Sequence, residues 1–118
     1  MVVFIGGKER RCHCNSNLAL EEYTKRIDFK TTYSEIYAIV YGSLYAGDYL
    51  EREGKGECSF TFSDVMQWVD EADNETITKI CNAFAETQKY KEWLSAFTDK
   101  VRALAGADKK KATKKKVA

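Results

Sequence analysis

The triplet Cys12-His13-Cys14 near the N-terminus holds residue types that often bind zinc or carry redox chemistry. A zinc site needs ligands that converge on one point, usually from a turn that directs two of them inward. We expect the triplet to lie in an extended strand, where His13 points away from both cysteines. Cys58 and Cys81 stand alone in the sequence. We therefore interpret all four cysteines as small buried hydrophobic residues with free thiols, and we expect no metal and no cofactor.

No other set of residues suggests catalysis. His13 is the only histidine, so the chain has no second imidazole for a proton relay. It contains no G-x-S-x-G, Walker, H-E-x-x-H or kinase motif. The acidic residues between Asp70 and Glu75 span a predicted helix junction, where capping and solvation account for them. The sequence therefore favours a protein that is not an enzyme.

Charge is distributed unevenly along the chain. Residues 107–118 carry six lysines against a single acidic residue, Asp108, which gives this tail a charge of +5 and leaves residues 1–106 at −4. A segment of this composition is predicted to be disordered. It could be a solvated end, a weak nucleic-acid contact or a docking segment for an acidic partner. The tail has no aromatic side chain to stack on bases, which argues against nucleic acid as a partner.

Length and composition indicate a single folded domain, residues 1–106, followed by the lysine-rich tail. The chain has 118 residues, of which 44% are hydrophobic, 31% are charged and none is proline. This composition is typical of a globular protein, and the lack of proline permits long helices. The four apolar residues before Gly6 are too few for a signal-peptide core or a membrane span, so we expect a cytoplasmic protein without membrane contact.

The elements that must position these residues begin with a β-hairpin. Val2–Ile5 is β-branched or aromatic, Gly6-Gly7 suits a tight turn, and Lys8–Cys14 is predicted to return as the second strand. A lone hairpin is marginally stable in water, so it must pack on the helices that follow. The first of these helices is predicted over Leu18–Ile27, after three residues that favour the N-cap position.

A long second helix is predicted from a capping box, Thr32-Tyr33-Ser34-Glu35, to about Glu53. One face is an ordinary core stripe, whereas the opposite face combines tyrosines with small residues spaced by four. That face either packs inside the domain or forms a self-association surface with the tyrosines as anchors. The candidate binding residues on it are Ala38, Tyr41, Gly42, Tyr45 and Tyr49.

The second half of the chain is predicted to contain two or three further helices. One is capped by Thr61 or Ser63 and stops near Ala72, and the next begins at Glu75. The apolar pattern loses phase around Thr87-Gln88, which indicates a bend or two separate helices. The overall prediction is a mainly α fold of four to five helices with a short N-terminal hairpin.

An apolar stripe follows the phase break and ends before Gly106, where we expect the helix to stop. Its residues are Tyr90, Leu94, Phe97, Val101 and Leu104. Their spacing by four and three suits a core helix and equally a helix that binds in a partner's groove. These five residues are therefore further candidates for partner binding or self-association.

The order of short motifs resembles the tail assembly chaperone family of long-tailed bacteriophages and prophages. The motifs are Ile5-Gly-Gly-Lys8, Leu18-Ala-Leu-Glu-Glu-Tyr23, Leu44-Tyr-Ala-Gly47, Phe60-Thr-Phe-Ser-Asp-Val65 and Trp68-Val-Asp-Glu71, followed by a helix through Ile80 and Phe84. Each motif is short, and the resemblance lies in their succession over residues 2–86. The region from Gln88 onward matches no motif of that family.

The resemblance implies a non-enzymatic function in tail morphogenesis. Such proteins coat the long, aggregation-prone tape measure protein and recruit major tail tube subunits around it. It implies a homo-oligomer that works in the cytoplasm of the bacterial host and is absent from the mature virion. Two alternatives remain: a small structural or connector protein that is retained in the virion, and a small nucleic-acid-binding regulator that uses the basic tail.

Overall fold

The structure, a computed structural model, describes residues 1–27 and 32–117, with side chains described at 1–27 and 34–103. These residues form a two-stranded antiparallel hairpin followed by five helices, which confirms the predicted mainly α fold. The strands are β1 (Val2–Ile5) and β2 (Lys8–Arg11). The helices are α1 (Asn17–Arg26), α2 (Thr32–Glu51), α3 (Phe62–Glu71), α4 (Asn74–Ala85) and α5 (Gln88–Val117).

The hairpin is shorter than the sequence predicts, because β2 ends at Arg11 and not at Cys14. Val2 at the start of β1 already pairs with Arg11, so β1 offers no further partner. The chain instead leaves the sheet. The backbone N–H of Cys12 donates to the Met1 carbonyl at 2.7 Å, and that of His13 donates to the Ser43 carbonyl of α2 at 3.0 Å. These bonds fasten the end of the hairpin to the central helix.

Helix α2 is the centre of the domain, and its small residues allow close approach of other backbones. A Cβ atom added at Gly42 would lie 2.5 Å from the Ala19 carbonyl oxygen of α1. One added at Gly47 would overlap the carbonyl of Arg11 at the end of β2. Ala38 is fully buried beside them. The hairpin and α1 therefore both pack on α2 through backbone contacts that larger side chains would prevent.

Side-chain caps fix where three of the helices begin. The Ser16 hydroxyl accepts from the N–H of Leu18 and of Ala19 at the start of α1. Thr61 and Asp64 form a reciprocal capping box at α3. The Asp73 carboxylate accepts from the third residue of α4 at 2.7 Å. The predicted starts of these helices are confirmed to within one residue.

The Glu35 carboxylate, to which the sequence assigns a capping role, also makes a tertiary contact. One of its oxygens accepts hydrogen bonds from the Tyr23 and Tyr90 hydroxyls, both at 3.3 Å. The side chain of Thr32, the other half of the predicted capping box, lies outside the described residues. Glu35 thus joins α1, α2 and α5.

The phase break at residues 87–88 marks a boundary between two helices, α4 and α5. Helix α5 continues to Val117, past Gly106 where the sequence predicts its end. A single glycine costs a helix only about 1 kcal/mol, and the alanines and lysines around it favour helix. The side chains at 104–118 lie outside the described residues, so the disordered lysine-rich tail stays a prediction.

Candidate binding surfaces

The tyrosine face of α2 lies largely inside the domain. Tyr41 is buried, with the Arg26 guanidinium 4.3 Å from its ring centroid and the Phe62 ring at 5.4 Å. Ala38 and Gly42 are buried as well, the latter against α1. Of the two interpretations of this face, internal packing therefore accounts for these three candidate residues.

The remaining two tyrosines of that face are more accessible. Tyr45 is half-buried, and its ring centroid lies 5.7 Å from that of Tyr41. Tyr49 is exposed near the end of α2, where the Arg52 guanidinium lies 5.8 Å from its ring. Self-association through this end of α2 stays a prediction, and it involves Tyr49 rather than the small residues.

Helix α5 is attached to the domain by the aromatic residues of its first turns. The Tyr90 ring lies 5.1 Å from Phe84 and 5.9 Å from Tyr23, between centroids. Trp93 meets Tyr23 edge-on at 5.3 Å, and Phe97 stacks on Trp93 at 5.4 Å. Trp93 is absent from the stripe read from the sequence, although its spacing of three from Tyr90 was the available signal.

Two residues of the apolar stripe of α5, one on each side of Phe97 in the sequence, are exposed. Leu94 is 40% exposed and Val101 is 45% exposed, and Phe97 lies between them on the same face. The side chain of Leu104 lies outside the described residues. We call Leu94, Phe97 and Val101 the α5 stripe. Its spacing can present apolar anchors to a groove on another helical protein.

A second apolar surface lies on the hairpin and was not predicted. Val2 is 59% exposed and Phe4 is 67% exposed, because a hairpin can pack only one of its two faces on the helices. Val3 and Ile5 use that packed face. The sequence did contain a signal for this surface. All four residues of β1 are apolar, but a two-stranded hairpin that packs on one face can bury only alternate residues of a strand.

The exposed hairpin face borders a groove of about 400 Å³ between the turn and the α3–α4 junction. Phe4, Trp68 and Ala72 supply apolar lining, and the acidic residues Glu71 and Asp73 also line the groove. Arg10 connects the hairpin to Trp68, which is one of these lining residues. Its Nε donates to the Ile5 carbonyl at 2.9 Å, while its guanidinium lies 4.1 Å from the Trp68 ring centroid. We call Val2, Phe4 and this groove the hairpin surface.

The two cysteines of the N-terminal triplet lie side by side in the core. Their burial confirms that they share the packed face, and His13 is half-exposed between them. The two sulfurs are 3.7 Å apart. The hydrogen bond from the Cys12 thiol lowers the pKa of the Cys14 thiol to about 7, aided by the Ser43 hydroxyl and against the effect of burial. The same hydrogen bond, together with burial, raises the pKa of Cys12.

The residues that the structure describes contain no group of three or more His, Cys, Asp or Glu side chains that could hold a metal ion. Within the same residues, no helix combines the length and the apolar character that crossing a membrane requires. Comparison with known proteins found no matching family model, no similar curated protein and no similar solved structure.

Proposed function

We propose that this chain is a non-enzymatic tail assembly chaperone of a long-tailed phage or prophage. It binds the tape measure protein and recruits major tail tube subunits in the cytoplasm of the bacterial host, and it is released before the virion is complete. The observation that carries the proposal is the presence of two separate apolar surfaces, the α5 stripe and the hairpin surface, on a small domain.

Two separate surfaces suit a protein that must hold two different chains together. The α5 stripe offers anchors spaced like those of a helix in a groove, which fits a long helical partner such as a tape measure protein. The hairpin surface combines an exposed aromatic side chain, Phe4, with a groove, which is the arrangement of an interface hot spot. We assign the first surface to the tape measure protein and the second to the tube subunit.

The test is co-expression with the product of a long helical reading frame immediately downstream. We expect the chain to keep that product soluble and to co-purify with it. The single variants Leu94→Lys and Val101→Lys each place a charge on the stripe. Each should weaken binding at least about tenfold, because transferring an unpaired lysine ammonium from water into an apolar interface is unfavourable. Ser95→Lys is the matched control, since Ser95 is exposed, lies about 100° around α5 from Leu94 and outside the stripe, and gains the same charge as each single stripe variant.

Two outcomes would contradict the proposal. One is a downstream product that stays insoluble when the chain is present, or that is equally soluble when the chain is absent. The other is equal binding by the stripe variants and the Ser95→Lys control. Mass spectrometry of purified virions separates a chaperone from a connector protein, since a chaperone is expected to be absent from the particle.

The homo-oligomer expected of this family is part of the proposal. Its surface must lie outside the buried residues Ala38, Tyr41 and Gly42, so Tyr49 is the appropriate site for a substitution. Tyr49→Lys should shift the sedimentation of the chain if this end of α2 is shared between subunits. An unchanged oligomeric state with an intact fold would show that this end of α2 is not shared between subunits.

A further inference from the structure

The cysteine pair between the hairpin and α2 takes part in neither proposed binding surface. Cys12 and Cys14 are two residues apart in the sequence, and their sulfurs lie 3.7 Å apart. A disulfide requires about 2.05 Å between the sulfurs and about 3.5–4.5 Å between the Cβ atoms, so the backbone at His13 must bend as the bond forms. We propose that Cys12 and Cys14 form a thiol–disulfide exchange site that reacts with small disulfides of the glutathione class.

A buried polar side chain next to the pair supports this assignment independently. Ser43 is fully buried, and its hydroxyl has no hydrogen-bond partner among the described residues. It nevertheless favours the thiolate form of both cysteines: it helps to lower the pKa of Cys14, and it offsets a small part of the rise in the pKa of Cys12. A buried hydroxyl without a partner is costly, and a thiolate is the acceptor that would satisfy it. Ser43 is therefore a positioning residue for the charged form of the pair.

A small disulfide can reach the pair from one side of the domain. A cavity of about 260 Å³ lies beside it and is lined by Met1, Cys12, His13, Cys14 and Asn15. Cys14 is the more accessible of the two cysteines, at 8% exposure against 2% for Cys12. The positive N-terminal amine favours the thiolate of either cysteine and does not distinguish them. Greater access and the lower pKa therefore select Cys14 as the attacking sulfur.

The exchange proceeds in two balanced steps. The Cys14 thiolate attacks one sulfur of a disulfide RS–SR, forms the mixed disulfide Cys14–S–SR and releases RS⁻, which takes a proton from solvent. Cys12 then loses its proton to solvent and attacks the Cys14 sulfur, which breaks the Cys14–SR bond and releases the second RS⁻. Two protein thiols are oxidised to one internal disulfide, and one small disulfide is reduced to two thiols.

The test uses the full reduced chain, equilibrated at neutral pH in glutathione buffers of increasing oxidation, then quenched in acid, alkylated and cut with trypsin. Cleavage after Arg11 and Lys25 yields a fragment that holds both cysteines of the pair and excludes the other two. We expect this fragment to lose two hydrogens reversibly and to escape alkylation in oxidised buffer. A fragment that keeps two alkyl groups, or only a glutathione adduct, in the most oxidised buffer would overturn the proposal.

Single substitutions test the order of the two sulfurs. Cys12→Ser should trap glutathione on Cys14, whereas Cys14→Ser should slow the modification of Cys12 at least about tenfold, because Cys12 is the more deeply buried of the two thiols and burial itself raises its pKa. The matched control is the double variant Cys58→Ser/Cys81→Ser, which should oxidise like the unaltered chain. Equal adduct rates in the two single variants would overturn the assignment of Cys14. If a serine variant fails to fold, the fragment from the unaltered chain still decides whether the pair reacts.

Discussion

Gly42 illustrates how a single residue determines the packing of α1 on α2. The Ala19 carbonyl oxygen approaches so closely that a Cβ atom at position 42 would lie 2.5 Å from it. Backbone atoms cannot rotate away as a flexible side chain can. The absence of a side chain at Gly42 is therefore a packing requirement, independent of any partner.

Gly42→Ala is expected to destabilise the domain by about 2 kcal/mol, because α1 must move away from α2. The direction is informative, since the same change at an unconstrained helix position stabilises by up to about 1 kcal/mol. Urea unfolding followed by circular dichroism measures the difference. Thr78→Ala on the exposed side of α4 serves as the control. A more stable Gly42→Ala variant would contradict the close contact with α1.

Cys14 and Cys81 should differ in the pH at which they react. The hydrogen bond from Cys12 places the pKa of Cys14 at about 7, and burial raises that of Cys81 to about 11. Only the thiolate is alkylated, and its fraction rises as pH passes through the pKa. In the folded chain, the rate of iodoacetamide alkylation at Cys14 should level off above neutral pH while that at Cys81 still increases. Identical pH profiles for the two residues would refute this difference.

At the scale of elements, α5 depends on a few aromatic contacts at its N-terminal end. Tyr90 packs between Tyr23 and Phe84 and donates to Glu35 at 3.3 Å. The exposed part of the stripe begins only one turn later, at Leu94. The same helix is therefore anchored at one end and available for binding further along.

Replacing Tyr90 separates these two parts of α5. Tyr90→Ala should lower the free energy of unfolding by about 2–3 kcal/mol through lost packing, and Tyr90→Phe by about 1 kcal/mol through the lost hydrogen bond. Leu94→Ala is the control and should change it by less than about 1 kcal/mol. Chemical denaturation provides all three values. Equal losses for Tyr90→Ala and Leu94→Ala would show that α5 is not anchored at Tyr90.

The sequence predicts elements better than it predicts their partners. Local signals such as the Thr61–Asp64 box and the Asp73 cap correctly mark where α3 and α4 begin. The length of β2 was wrong because it depends on register with β1, which is a tertiary property. The bonds from two distant tyrosines to Glu35 could not be predicted, because they leave no local pattern in the sequence. Whether the tyrosine face of α2 packs inside the domain or remains available for self-association depends on the position of α1, which no local pattern in the sequence predicts.

At the scale of the whole molecule, the packed core and the lysine-rich tail are separate in the chain. Among the side chains that the structure describes, every buried hydrophobic residue lies at or before Phe84, whereas the six lysines of the tail lie beyond residue 108. The positive charge of the tail therefore lies far along the sequence from these core residues. We expect that the tail can be removed as an independent unit.

Deletion of residues 107–118 should leave the free energy of unfolding unchanged within about 0.5 kcal/mol, while the net charge changes from +1 to −4. Urea unfolding measures the first quantity, and native electrophoresis at pH 7 detects the second. A loss of more than about 1 kcal/mol would mean that the tail packs on the domain.

The positions of the two tryptophans give the molecule a built-in fluorescence readout. Trp68 lies beneath the Arg10 guanidinium beside the hairpin, and Trp93 lies against Tyr23 at the base of α5. Each indole therefore monitors a different apolar surface. In a Trp68→Phe variant the remaining emission reports whether a bound chain disturbs α5. In a Trp93→Phe variant, quenching or a spectral shift reports occupation of the groove, so the two binding events can be timed separately in parallel solutions of the two variants.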